Sequence, residues 1–167
     1  PCFLLGGGYD RSLLLSLSAY ALDKEVEKVV RYLKGFGHER IMIPIDGSGT
    51  GLGSAVLSGL KNGMESPPAS GNWEDYCPEF QENIPAVWQD YWRKSLLRLR
   101  ATAVVVFEDS QLISFYGFCM ANGIRIPEDL SIVSFSYNQS FDWAVPRPAM
   151  MRFPNAKAVS HFKDWMA

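Results

Sequence analysis

Apolar residues recur along this chain with two different periods, and the changes of period mark out its elements. Residues 103–107 and 130–135 are continuous apolar runs rich in β-branched side chains, the pattern of strands buried on both faces of a sheet. Residues 110–122 lie between them and have a helix's length, so the three segments predict a βαβ unit with parallel strands. Upstream, Val26, Val29, Val30 and Leu33 recur at helical spacing beneath Lys24, Glu25, Lys28 and Arg31, which predicts a helix over 21–34. Gly35 and Gly37 suit its end, since glycine takes a left-handed cap without steric cost. Residues 40–45 then read as a strand, 46–53 as a glycine loop and 52–64 as a helix. Near the start, 2–5 and 13–18 read as strands, the second being compatible with a helix start as well.

The periodicity fails between Glu65 and Gln81, where Pro67, Pro68 and Pro78 predict a long surface loop with a short edge strand around Trp73. Beyond it, Pro85 suits the first turn of a helix whose Trp88, Trp92, Leu96 and Leu99 form a core stripe. Arg93, Lys94, Arg98 and Arg100 make its solvated side. The helix over 110–122 is different, because Leu112, Ile113, Phe115, Tyr116, Phe118, Cys119 and Met120 surround nearly its whole circumference. One sheet covers one face. The surplus predicts either a helix sandwiched within the chain or a homodimer using Phe118, each partner burying on the order of 800 Å².

Composition narrows the class of molecule. With 167 residues, 47% hydrophobic and 20% charged, the chain can bury the core of one domain or two small lobes. A net charge of -2 gives this segment no electrostatic reason to grip nucleic acid, which requires clustered Lys and Arg. No apolar run approaches the roughly 20 residues that cross a bilayer, and no basic leader follows Pro1, so neither membrane anchor nor signal peptide is expected. Cys2, Cys77 and Cys119 are odd in number and lack Cys-x-x-Cys spacing, as for free thiols of a cytoplasmic protein with no metal or cofactor.

Residues 46–54, Asp-Gly-Ser-Gly-Thr-Gly-Leu-Gly-Ser, invite a nucleotide-binding reading, because a glycine loop between strand and helix lets backbone N–H groups meet a pyrophosphate. Its register is poor. Ser54 stands where Gly or Ala is required, and the Lys of a Walker loop is absent. His38 and His161 lie in no catalytic pattern, His38 suiting a helix end and His161 a surface.

The order of motifs resembles the lactose-repressor (LacI/GalR) family. Gly37-His38-Glu39-Arg40-Ile41 matches its Gly-His-x-x-Ile step into a core strand, and Gly59 matches a glycine of its next helix. The apolar strand ending at Glu108-Asp109, the helix, and then Gly123-Ile124-Arg125-Ile126-Pro127-Glu128-Asp129 follow the family's order. Arg147-Pro148-Ala149-Met150-Met151 is similar to its crossover between lobes. The resemblance implies an α/β fold of periplasmic-binding-protein-like type I: a Rossmann-like parallel sheet with helices on both faces and an incomplete N-terminal lobe. On that basis 1–20 ends the N-terminal lobe, 21–148 forms the C-terminal lobe and crossover, and 149–167 supplies the return strand and helix of the N-terminal lobe. The implied function is effector sensing and dimerisation in a DNA-binding transcription regulator whose helix-turn-helix headpiece lies outside this chain. A periplasmic-type solute-binding protein for sugars is the second reading, and a nucleotide-binding enzyme the third.

Several polar groups usual in that family are changed. Residues 54–57 read Ser-Ala-Val-Leu, without the Arg that holds ligand hydroxyls; Asn-Asp becomes Glu108-Asp109; and Ser136 replaces an Asp. Ligands of open α/β sheets sit outside the carboxyl ends of the strands, so Asp46, Glu108, Asp109, Ser136 and Tyr137 are the candidate ligand-binding residues, with Trp143 as a stacking platform. Asp109 also suits the N-cap of the following helix, whereas Glu108 has no comparable structural role in the sequence. The expected ligand is a sugar-like or nucleobase-like small molecule held without the usual Arg and Asp.

Overall fold

The computed structural model describes residues 3–5, 16–18, 21–47, 52–66, 72–153 and 155–166. Cys2, residues 13–15 of the second expected strand and most of the glycine loop, 48–51, lie outside the described residues, as does the side chain of His161. After strands β1 (Phe3–Leu5) and β2 (Ser16–Ser18) come helix α1 (Leu22–Gly35), β3 (Ile41–Met42), β4 (Ile45–Asp46) and α2 (Leu52–Met64). They are followed by β5 (Glu79–Phe80), α3 (Pro85–Leu99), β6 (Ala103–Val106), α4 (Asp109–Ala121), β7 (Ser131–Ser134), β8 (Ala149–Met150) and α5 (Asn155–Met166).

Strands β3, β6, β7 and β8 form one parallel sheet in that order, with β6 and β7 in register from Ala103 opposite Ser131 to Val106 opposite Ser134. Pro44 has no N–H to give and separates β3 from β4, yet the strand continues through it. On its far edge Ile43 N donates to Tyr76 O (2.8 Å), Ile45 N to Pro78 O (3.2 Å) and Gly47 N to Phe80 O (3.0 Å). The β5 segment therefore extends the sheet, giving the spatial order β5, β3/β4, β6, β7, β8. From β4 the chain moves outward to β5 and then jumps back across to β6. Right-handed crossovers in opposite directions put the connecting helices on opposite faces, with α1 against α2 on one and α3 against α4 on the other.

Local chemistry explains the ends of these elements. Gly37, at φ +85°, closes α1: His38 N donates to Leu33 O (3.2 Å) and Gly37 N to Lys34 O (2.8 Å), the paired bonds of a Schellman cap. Gly123 does the same for α4 through Ile124 N to Cys119 O (2.9 Å). The turn into β7 is closed by Asp129, whose carboxylate accepts from Arg125 N and Nε, both at 2.9 Å. Those bonds hold its pKa down at about 2.

The core is the sheet and what packs on it. Ala103, Val104, Val105 and Val106 are fully buried, as expected of a strand covered on both faces. Trp88 and Trp92 stack at 5.0 Å between centroids, and Trp92 Nε1 donates to Ser114 Oγ (2.9 Å), joining α3 to α4. Cys77 and Cys119 are buried free thiols, each pushed up to about 12 by burial. Among the described residues no helix is long and apolar enough to cross a membrane.

The structure departs from three sequence expectations. The edge strand falls at 79–80, because Asn72 accepts from Glu74 N (3.1 Å) and winds Trp73–Asp75 into a single 3-10 turn. Residues 149–150, expected in the N-terminal lobe, pair with β7 and extend the main sheet, while α5 lies beside β1 and β2. Phe118, expected at a subunit contact, is 4% exposed within its own chain. It belongs with Gln111, Leu112, Phe115 and Cys119 to the buried stripe of α4, and the surplus apolar residues are Ile113 and Met120 instead.

Candidate functional site

The doubly wound order leaves a crevice where the chain reverses, between the carboxyl ends of β4 and β6. A cleft of about 150 Å³ lies there. Leu22, Ile45, Val56, Phe80 and Phe107 are among its apolar lining residues, and Asp46, Glu108 and Gln111 are its ionisable and amide groups. Asp46 is carried by the last position of β4, Glu108 by the two-residue step from β6 into α4, and Gln111 by the first turn of α4. Among the described residues no group of three or more His, Cys, Asp or Glu side chains is placed to hold a metal ion.

Glu108 has a structural role after all. It is the N-cap of α4 and forms a capping box with Gln111, whose Oε1 accepts from Phe107 N (2.9 Å) and Glu108 N (3.4 Å). The Glu108 carboxylate also accepts from Asn83 Nδ2 (2.6 Å) and Ser110 Oγ (3.2 Å), tying the β5–α3 connection to the cleft's rim. Asp109 is consequently the first helical residue and not the cap, and its Oδ2 accepts from Asn138 Nδ2 (2.6 Å). That bond links the segments that follow β6 and β7.

The remaining candidates gather beyond β7. Ser136 is engaged through its backbone, its carbonyl accepting from Ser134 Oγ at 2.9 Å. Tyr137 donates its hydroxyl to Asp142 Oδ2 (2.9 Å), and the Arg152 guanidinium lies 3.7 Å from the centre of its ring. Asp142 also pairs with Arg147 (2.6 Å), while Trp143, at the end of the 3-10 turn Gln139–Trp143, is 86% exposed. Phe107, Phe135 and Phe153 form a row of rings across the ends of β6, β7 and β8, with centroids 4.6 and 5.6 Å apart.

All six sequence candidates thus lie at the carboxyl edge of the sheet, in two groups: Asp46 with Glu108 in the cleft, and Ser136, Tyr137 and Trp143 beyond β7. Asp109 and Asn138 join the groups. Sequence reasoning passed over Gln111, Phe107, Asn138 and Arg152. A glutamine three residues after a strand-end acidic residue is a capping-box signal and was readable for Gln111; no local signal places Arg152 over Tyr137.

Residues 30–159 match the model of the periplasmic binding protein-like domain. The chain belongs to that family. No curated protein matches the chain significantly in sequence. Solved structures share its fold: a LacI-family regulatory protein from Chloroflexus aggregans, 22% identical, superposes with a TM-score of 0.73 over 92% of this chain and 56% of its own. Transcription regulator CcpA of Lactococcus lactis does so at 17% identity and a TM-score of 0.75, over 98% of this chain and 60% of its own. A sugar-binding LacI-family transcriptional regulator from Escherichia coli, complexed with phosphate, gives 18% identity and 0.72, over 86% and 51%. The chain therefore spans between about half and three fifths of these regulators.

Proposed function

We propose that this chain is the effector-sensing and dimerisation portion of a LacI-type transcription regulator, binding a small molecule in the cleft between lobes. The observation that carries the reading is the cleft at the reversal of strand order, lined by apolar side chains with a few polar groups, in a domain of the periplasmic binding protein-like family. The role is binding, not catalysis; DNA would be contacted by a headpiece outside this chain, in the cytoplasm. A homodimer fits Ile113 and Met120, which lie seven residues apart on one side of α4 and are 62% and 81% exposed.

The ligand is held without the family's usual Arg and Asp, since Val56 and Ser136 occupy the corresponding stretches. Calorimetric titration of the chain with sugars and with nucleobases, wild type against Asp46→Ala, tests the site. Saturable binding lost in the variant supports it. Binding of undiminished strength in Asp46→Ala moves the site elsewhere.

A further inference from the structure

Gln111 is 2% exposed and lines the cleft, yet only half of its amide is used. Its Oε1 is committed to Phe107 N and Glu108 N, and because both are donors the orientation of the amide is decided: oxygen to the backbone, nitrogen away from it. Nε2 then donates to nothing among the described residues. Nor is it sealed in, for the one fully buried side-chain atom without a hydrogen-bond partner among the described residues is Asp142 Oδ1, which is ion-paired with Arg147. The open side of Gln111 is the cleft.

A buried amide whose donors face a cleft is costly unless something in the cleft accepts from it. Apolar side chains surround it, and a volume of about 150 Å³ accommodates a single six-membered ring. A sugar ring carries hydroxyls around its whole perimeter, each needing a partner, whereas a flat heteroaromatic ring buries two apolar faces and concentrates its polar atoms on one edge. The two ionisable groups that line the cleft with it, Asp46 and Glu108, are both acidic.

We propose that Gln111 is the specificity-determining contact for the ligand, donating from Nε2 to a carbonyl oxygen or ring nitrogen of a flat heterocycle. The ring packs on Phe107, and an amino group beside its acceptor faces Glu108 and Asp46. The inference rests on the effector-cleft reading above and adds the ligand's class: a planar ring with an acceptor next to an N–H donor.

Gln111→Glu isolates the donor, because glutamate retains an oxygen for the two backbone N–H groups and suits the first turn of a helix, while replacing Nε2 by an acceptor. The test is an NMR titration of the whole 167-residue chain with cytosine and, separately, with glucose, at pH 8 up to each probe's solubility. Cytosine is expected to shift the Gln111 side-chain amide and the Phe107 and Glu108 backbone signals saturably, and to bind Gln111→Glu about tenfold more weakly. Equal affinity for the variant overturns the role of Gln111 and leaves the cleft standing. Glucose shifting the cleft signals while cytosine does not overturns the ligand class alone. If neither probe moves any cleft signal, or binding maps outside the cleft, the effector-site reading falls with it.

Discussion

At the scale of single residues, the positions that matter here are those whose backbone or side-chain demands are met by only one neighbour. Arg100 caps α3 in the left-handed region, at φ 53°, with its N–H donating to Leu96 O (2.7 Å) and its carbonyl accepting from Arg40 Nε (2.6 Å). A side chain with a Cβ pays roughly 1–2 kcal/mol for that conformation, against about 0.5–1 kcal/mol of extra chain entropy for glycine. Arg100→Gly is therefore expected to stabilise the fold by roughly 0.5–1 kcal/mol, since both bonds at this position are made by its backbone. Urea unfolding checks the sign; a destabilised variant would mean that the Arg100 side chain contributes more than its strain costs. Gln111 shows the complementary case, a polar side chain whose oxygen is claimed by the fold and whose nitrogen is not.

Between elements, close approach decides the outcome of otherwise identical substitutions. A Cβ at Gly59 would stand 2.4 Å from Asp23 O and 2.7 Å from Val26 Cβ, and at Gly63 2.6 Å from Val30 Cβ, so α1 lies directly on the bare side of α2. Gly117, in α4, has nothing within 4 Å of the same point. Gly59→Ala is expected to cost about 1–3 kcal/mol by forcing the helices apart, whereas Gly117→Ala gains about 0.5–1 kcal/mol of helix propensity. Thermal unfolding of the two variants side by side distinguishes them, and a shared sign would refute the packing argument. The turn into β7 makes a separate prediction in acid. The Arg125 bonds lower the Asp129 carboxyl from 3.8 to about 2, so its contribution to stability is complete above pH 3.8 and disappears as pH falls through 2. Wild type should lose stability over that interval more steeply than Asp129→Asn, as read by denaturant midpoints at each pH. Parallel profiles would show that the turn adds no linkage.

For the whole molecule, the question is which surfaces are finished. α3 and α4 cover one face of the sheet, yet Leu97 is 73% exposed on α3, and Ile113 and Met120 stand out from α4. With a homodimer formed through this face, sedimentation velocity would give a concentration-dependent dimer that Ile113→Glu converts to monomer without loss of helical signal. A wild-type chain that sediments as a monomer at all concentrations would remove α4 from the interface. The carboxyl edge of the sheet is the other open surface. There the cleft, the row of Phe107, Phe135 and Phe153, and the Tyr137–Arg152 pair lie along one border.

What the sequence determined by itself was whatever is encoded within a few residues of chain. Helix α2 falls on its expected residues 52–64, α3 opens at Pro85, and the β-branched runs become β6 and β7, paired in parallel. Gly37 closes its helix as its freedom from a Cβ required. These features answer to periodicity and caps, which operate over one or two turns. The placing of all the candidates at one sheet edge was legible too, because strand ends in a parallel sheet share an edge. Tertiary structure alone decided the rest. Local pattern could not reveal that residues 149–150 add to the main sheet, that Phe118 turns inward, or that Gly59 and Gly63 receive a neighbouring helix. Nor could it divide the candidates between a cleft and a separate Tyr137–Arg152 group. Each of these depends on which distant segments become neighbours, and a burial or a close approach exists only once both partners are in place.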